Sequence, residues 1–135
     1  MNLFADSSGW IALFNPRDKY HGQTKQTARE SFAVGDQFVT TDYVLDETIT
    51  NLQSIVNYSV AEQFAVWVMK QEHVTVARIS EEIWNESLAL FQKYDDKDFS
   101  FTDCTSFVVM RRMSISEAFA FDHHFEQMGF RLWPR

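Results

Sequence analysis

Four acidic residues stand where a side chain can reach a ligand. Asp6 follows the short apolar run Asn2 to Ala5, and Asp122 follows a second strand-like run, Glu117 to Phe121. In an open parallel sheet, ligands gather just beyond the carboxyl ends of the strands, so both acids are well placed if these runs belong to one sheet. Asp103 lies in the first turn of a helix behind a polar loop, and Glu47 sits about one and a half turns into another helix. A carboxyl group in such a place can exchange a proton, hold a hard cation or cap a helix. Asp6 and Asp122 could each be an N-cap, and Ser100 to Asp103 has the S-x-x-D form of a capping box. Glu47 lies about 200° around its helix from the Leu45, Ile49, Leu52, Val56 stripe, and periodicity alone assigns it to a solvated face.

Other chemistry-bearing residues are weaker candidates. His123 and His124 follow the fourth acid, and imidazole suits Zn or Mn better than Mg; adjacent helical residues point about 100° apart, so at most one faces a site there. Cys104 has no local Cys-His motif beside it and reads as a small buried filler. Arg17, Lys19, Lys25 and Arg29 against Asp18 leave a local balance of +3 that could hold phosphates, with Tyr20 and His21 available to stack on bases or to pack locally. Arg111 and Arg112 are second candidates for phosphate contact.

The elements that must position these residues follow from periodicity and punctuation. Strands are expected at Asn2 to Ala5, Phe38 to Thr40, Val74 to Ala77, Glu117 to Phe121 and Phe130 to Trp133. A helical turn is expected around Trp10 to Phe14, stopped by Asn15-Pro16, and helices over about 21–33, 41–57, 59–72, from Ser80 onward, 102–113 and 122–128. Ser59-Val60-Ala61-Glu62 has capping-box form, and Gly129 ends the last helix. Alternation of short apolar strands with helices implies an α/β fold around a parallel sheet.

Length and composition bound the class. With 135 residues, 45% hydrophobic and 23% charged, the chain suits one globular domain, and surface scaling allows roughly 7,300 Å² folded against about 22,900 Å² extended. One cysteine excludes a disulfide framework and fits a reducing cytoplasm. The N-terminus is unlike a secretory signal, no apolar run reaches membrane-spanning length, and no linker or repeat is evident. The formal charge of -7 argues against nucleic-acid binding by bulk positive charge, although a carboxylate that holds a metal counts as negative in that sum.

Four blocks in order resemble the PIN-domain family: Phe4-Ala5-Asp6-Ser7-Ser8, Val44-Leu45-Asp46-Glu47, Asp98 to Cys104, and Phe119-Ala120-Phe121-Asp122-His123-His124-Phe125, ending in Gly129-Phe130. Their order and spacing resemble its small members, the ribonuclease toxins of toxin–antitoxin pairs. The resemblance implies a three-layer α/β/α sandwich with a central, mainly parallel sheet, and an acidic cluster that holds Mg²⁺ or Mn²⁺ for cleaving RNA phosphodiesters. It implies Asp6, Glu47, Asp103 and Asp122 as catalytic and metal-holding residues. Ser7 and Thr102 are hydroxyls beside those acids, and with Arg17 and Lys19 they are expected near the substrate. Asp46 and Asp98 are near-site extras.

The resemblance further implies RNA as substrate, a small antitoxin partner and a possible homodimer, and the lack of a long apolar run leads us to expect no membrane. Two unit charges about 5 Å apart repel by roughly 3 kcal/mol at an effective dielectric near 20, so a cluster of this kind favours a divalent cation. The expected chemistry is metal-assisted hydrolysis. A noncatalytic PIN-like module that binds RNA or protein is the alternative. A receiver domain or aspartyl phosphatase fits less well; the latter wants an Asp where this chain has Ser8.

Overall fold

A computed structural model describes residues 1–134. The elements run β1 (Asn2–Ala5), α1 (Ser7–Phe14), α2 (His21–Ala33), β2 (Gln37–Thr41), α3 (Asp42–Ile55), α4 (Tyr58–Lys70), β3 (Val74–Ala77), α5 (Glu81–Lys93), α6 (Phe101–Arg112), β4 (Glu117–Phe119), α7 (His124–Gln127) and β5 (Arg131–Trp133). The strands form one sheet in the order β3-β2-β1-β4-β5, and every pairing is parallel. The chain leaves β1 toward β2 on one side and returns to β4 on the other. This reversal puts a topological switch point between β1 and β4.

Aromatic side chains fill both faces of the sheet. On one face Trp10 of α1 meets Phe38 of β2, Phe119 of β4, and Phe64 and Trp67 of α4, with ring centroids 5.7–6.0 Å apart. Its indole N–H donates to Thr40 Oγ1, which in turn donates to the Ala5 carbonyl, so the one polar atom of this buried ring is satisfied. On the other face Phe4 of β1 packs against Phe125, and Phe125 against Phe107 of α6. Helices on both faces of a parallel sheet explain the continuous burial of Leu3, Phe4 and Ala5. The accessible surface is 7294 Å², as the scaling law requires of a compact chain of this mass.

Two local expectations are corrected. The fourth helix is capped by Asn57, whose Oδ1 accepts from Val60 N–H at 2.8 Å; Ser59 lies inside the helix and the Ser59–Glu62 capping box does not form. Asn and Ser cap about equally well, so the cap two residues earlier wins because it adds two residues of helical backbone bonds. The strand beginning at Glu117 ends at Phe119, and residues 120–123 are an irregular segment leading into α7. No helix among the described residues is long and apolar enough to cross a membrane.

Candidate active site

Asp6 leaves β1 in an extended conformation and becomes the N-cap of α1. Its Oδ2 accepts from Ser8 N–H at 3.3 Å and from Ser8 Oγ–H at 2.9 Å, while no hydrogen bond from the described residues reaches Oδ1. Ser8 Oγ also accepts from Phe121 N–H at 3.0 Å, and the Asp6 N–H donates to the Phe119 carbonyl at 3.2 Å. These bonds stitch the β1–α1 turn to the segment after β4. Asp6 therefore caps a helix and stands at the switch point at once, so the two readings of this acid are compatible. Ser8, whose hydroxyl orients Asp6, has no role in the sequence pattern; only its partner 113 residues away reveals one.

The neighbouring Ser7 hydroxyl donates to Glu47 Oε1. Glu47 is half-buried whereas Asp46 is exposed, which settles which of the two adjacent acids turns inward. The solvated-face expectation for Glu47 is overturned. The buried side of α3 is Val44, Leu45, Thr48 and Leu52, rotated from the Leu45–Val56 stripe because α3 packs against α1, α4 and α6 together. Glu47 then falls on the border facing α1.

Asp103 sits in the first turn of α6, and its capping box with Ser100 is formed. Ser100 Oγ accepts from Asp103 N–H, and Asp103 Oδ2 accepts from Ser100 N–H, both at 3.0 Å. The same Oδ2 lies 2.9 Å from His124 Nδ1, which is also 3.1 Å from Asp122 Oδ1. Asp122 Oδ1 further accepts from the His124 N–H at 2.9 Å, a tight local turn rather than the cap of α7. With a carboxylate on either side, Nδ1 is the ring atom that carries a proton. One of the two adjacent histidines faces the site, as helical geometry requires: His124 is 17% exposed and His123 71%.

Ligand atoms of Asp103, Asp122 and His124 all lie within 4.8 Å of one another. Electrostatics bind Asp6 and Glu47 to the same group. Burial pushes the Asp6 carboxyl from 3.8 up to about 7, with Asp103 and Glu47 adding to the rise and the Ser8 bonds opposing it. Glu47 is raised by burial and by Asp103, Asp122 and Asp46. Asp103 is raised by burial and by Asp122, against its bonds to Ser100 and His124. Carboxyl groups that raise one another in a partly dry crevice lack positive charge, and a set of carboxylate oxygens fits a hard divalent cation.

The outlying candidates separate. Thr102 is half-buried and, with Glu47, lines a groove of about 560 Å³ along α3. Arg17 and Lys19 are exposed on the loop before α2. Tyr20 stacks flat on Phe121, centroids 4.2 Å apart, and His21 Nδ1 bonds the Ala12 carbonyl at 2.9 Å, so both pack locally instead of waiting for bases. The Tyr20–Phe121 stack nevertheless brings Lys19, whose ammonium lies over the Tyr20 ring, to the residue before Asp122. Arg112 is engaged with Glu82 and Glu86, and Arg111 stands beside it at the far end of α6 from Asp103. Neither reaches the cluster. Cys104 is buried, and burial raises its thiol to about 11, far from a nucleophile's range. Asp98 is exposed on the loop before α6.

A model of the PIN domain matches residues 3–131. The chain belongs to the PIN-domain family. Among curated PIN-domain relatives, the "23S rRNA-specific endonuclease VapC20" of Mycobacterium tuberculosis is 36% identical over 132 residues, covering 95% of both chains, in strains CDC 1551 / Oshkosh and H37Rv alike. The crystal structure of Mycobacterium tuberculosis VapC20, described as a sarcin–ricin loop cleaving toxin, superposes with a TM-score of 0.84 at 32% identity over 95% of each chain. The α/β sandwich expected from the PIN resemblance is thus the observed fold, and its sheet is wholly parallel.

Proposed function

We propose that this PIN-domain chain is an endoribonuclease that cuts RNA phosphodiesters at the acidic crevice, dependent on Mg²⁺ or Mn²⁺, and that it is the toxin of a toxin–antitoxin pair. The observation that carries the reading is that Asp6, Glu47, Asp103 and Asp122 come from four separate segments to one crevice, where Asp103 and Asp122 offer oxygens within 4.8 Å of one another and neighbouring carboxylates add to the rise of Asp6, Glu47 and Asp103. Asp6, Asp103 and Asp122 would hold the cation, with Glu47 reaching it directly or through water. When bound, the cation supplies Lewis acidity toward phosphate and acidifies water. The chain's own residues prepare the place: Ser8 and Ser7 hold Asp6 and Glu47, while Ser100 and His124 hold Asp103. Lys19 and Arg17, beside the crevice, would neutralise flanking phosphates, and Thr102 would line the path of the strand.

The identity to VapC20 makes 23S rRNA the first substrate to test, in the cytoplasm. A small antitoxin would hold the enzyme inactive, and a homodimer is the working assembly.

Purified protein is incubated with ribosomal RNA in Mg²⁺, in Mn²⁺ and in EDTA, and the new RNA ends are mapped. Discrete cuts in metal, none in EDTA, and activity below about one hundredth of wild type in Asp103→Asn are expected. Asn still accepts the Ser100 N–H bond, so that variant folds. Absence of cuts in every metal would reduce the chain to a noncatalytic RNA- or protein-binding module.

A further inference from the structure

A second cleft opens beside the acidic crevice, where α5 ends and the loop 94–100 turns into α6. It encloses about 520 Å³, within the range of small-ligand sites, and is lined by Phe91, Tyr94, Lys97, Asp98, Phe99 and Ser100 among others. Its aromatic rings are arranged edge to face. Tyr94 meets Phe99 at 5.8 Å, and Phe91, 43% exposed, meets Phe101 at 5.9 Å. The part of the Phe91 ring not covered by Phe101 is open to solvent.

Two residues of the cleft touch residues of the crevice. The cleft's Phe99 ring stands edge-on to His124 at 5.4 Å, and its Ser100 exchanges two hydrogen bonds with Asp103. Whatever enters the cleft abuts the acid-bearing start of α6. The rim combines an ammonium, Lys97, with the carboxylates of Asp95 and Asp98. An apolar protein segment would have to leave these charges unpaired. An unpaired nucleotide suits all three features, since its base stacks on a ring, its N–H edge meets a carboxylate, and its phosphate meets the ammonium.

We propose that this cleft is a base-recognition subsite, holding an unpaired base next to the scissile phosphate and favouring guanine, whose N1–H and N2–H can both donate to the Asp98 carboxylate. The proposal rests on the ribonuclease reading of the crevice. It assigns sequence preference to the loop 94–100 and the end of α5, and leaves metal holding to the acids.

The test uses a pool of short single-stranded RNAs, randomised around one position, with wild type, Phe91→Ala and Asp98→Ala. Wild type is expected to favour guanine at one position flanking the cut, because its N1–H and N2–H can donate together to one carboxylate whereas adenine, cytosine and uracil offer no such adjacent pair. Phe91→Ala should raise KM about tenfold, the scale of losing one base–aromatic stack. Asp98→Ala should flatten the base preference. Neither side chain holds the acids, so the shift of melting temperature with Mn²⁺ should match wild type in both variants, which separates a subsite from a disturbed metal site. Equal cutting of all bases at the flanking positions, or variants whose KM and preference match wild type, would overturn the subsite. A Phe91→Ala variant with wild-type kinetics but an altered oligomeric state would make the cleft a protein-docking face and overturn it equally. Failure of wild type to cut any RNA in metal would instead overturn the ribonuclease reading itself.

Discussion

Ser7 and Ser8 occupy the first turn of α1, and each commits its hydroxyl proton to a different carboxylate, Glu47 and Asp6. These bonds only partly offset the cost of burying the acids. Asp6 is 3% exposed and titrates near 7, so without a cation the folded chain keeps a proton there that the unfolded chain has lost above about pH 4. The folded state binds more protons in that window, so the contribution of Asp6 to stability in EDTA is greatest below about pH 4, falls as pH rises toward 7 and levels off above it. Glu47 and Asp103, also raised, act in the same direction. Asp6→Asn should flatten much of this decline, as measured by urea unfolding in EDTA between pH 4.5 and 8. A wild-type protein that gains stability across that range would contradict the burial of an uncompensated carboxyl at the switch point.

At the scale of elements, the position of α1 over β4 matters most to the site. Gly9 is where the two meet: a Cβ built there would lie 2.3 Å from the Phe119 carbonyl oxygen and 2.7 Å from the Phe119 ring. Glycine is needed for close approach, and the approach lets Ser8 reach Phe121 N–H and Asp6 N–H reach the Phe119 carbonyl. Gly9→Ala must push the helix outward or strain the strand. A loss of about 1–3 kcal/mol in chemical denaturation is expected, together with weaker metal binding, because the same shift displaces both serines. Gly22, where an added Cβ meets nothing within 4 Å, is the control: Gly22→Ala should be neutral or stabilising.

For the whole molecule, the charge of -7 takes on a different meaning once the acids are placed. Four of the 19 acids converge at one crevice, and omitting them leaves 12 bases against 15 acids, or -3. Lys19 and Arg17 are exposed on the loop before α2, with the Lys19 ammonium over the Tyr20 ring that stacks on Phe121, so the proposed phosphate contacts would be local rather than spread over a basic face. A cation that binds only the folded chain stabilises it by mass action, about 2.7 kcal/mol at one hundred times its dissociation constant. Thermal melts should therefore rise with millimolar Mn²⁺ or Mg²⁺ relative to EDTA. The rise should shrink as pH falls below 7, since metal must displace the proton on Asp6. An identical melt with and without metal at pH 8 would remove the cation from the proposed function.

The sequence by itself determined the parallel α/β class, the helix bounds at His21–Ala33, the S-x-x-D form at Ser100–Asp103 and the place of Asp6 directly after a strand. These rest on short-range physics: periodic apolar residues, a cap bonded three residues away, a strand that must turn at a polar residue. Tertiary structure alone decided the inward turn of Glu47, the service of Ser8 to Asp6 and the seat of His124 between two carboxylates. It also tied Arg112 to Glu82 and Glu86, away from any phosphate. Each of these depends on which elements become neighbours across tens of residues, and helical periodicity cannot say which face of α3 borders α1 when three helices share its surface.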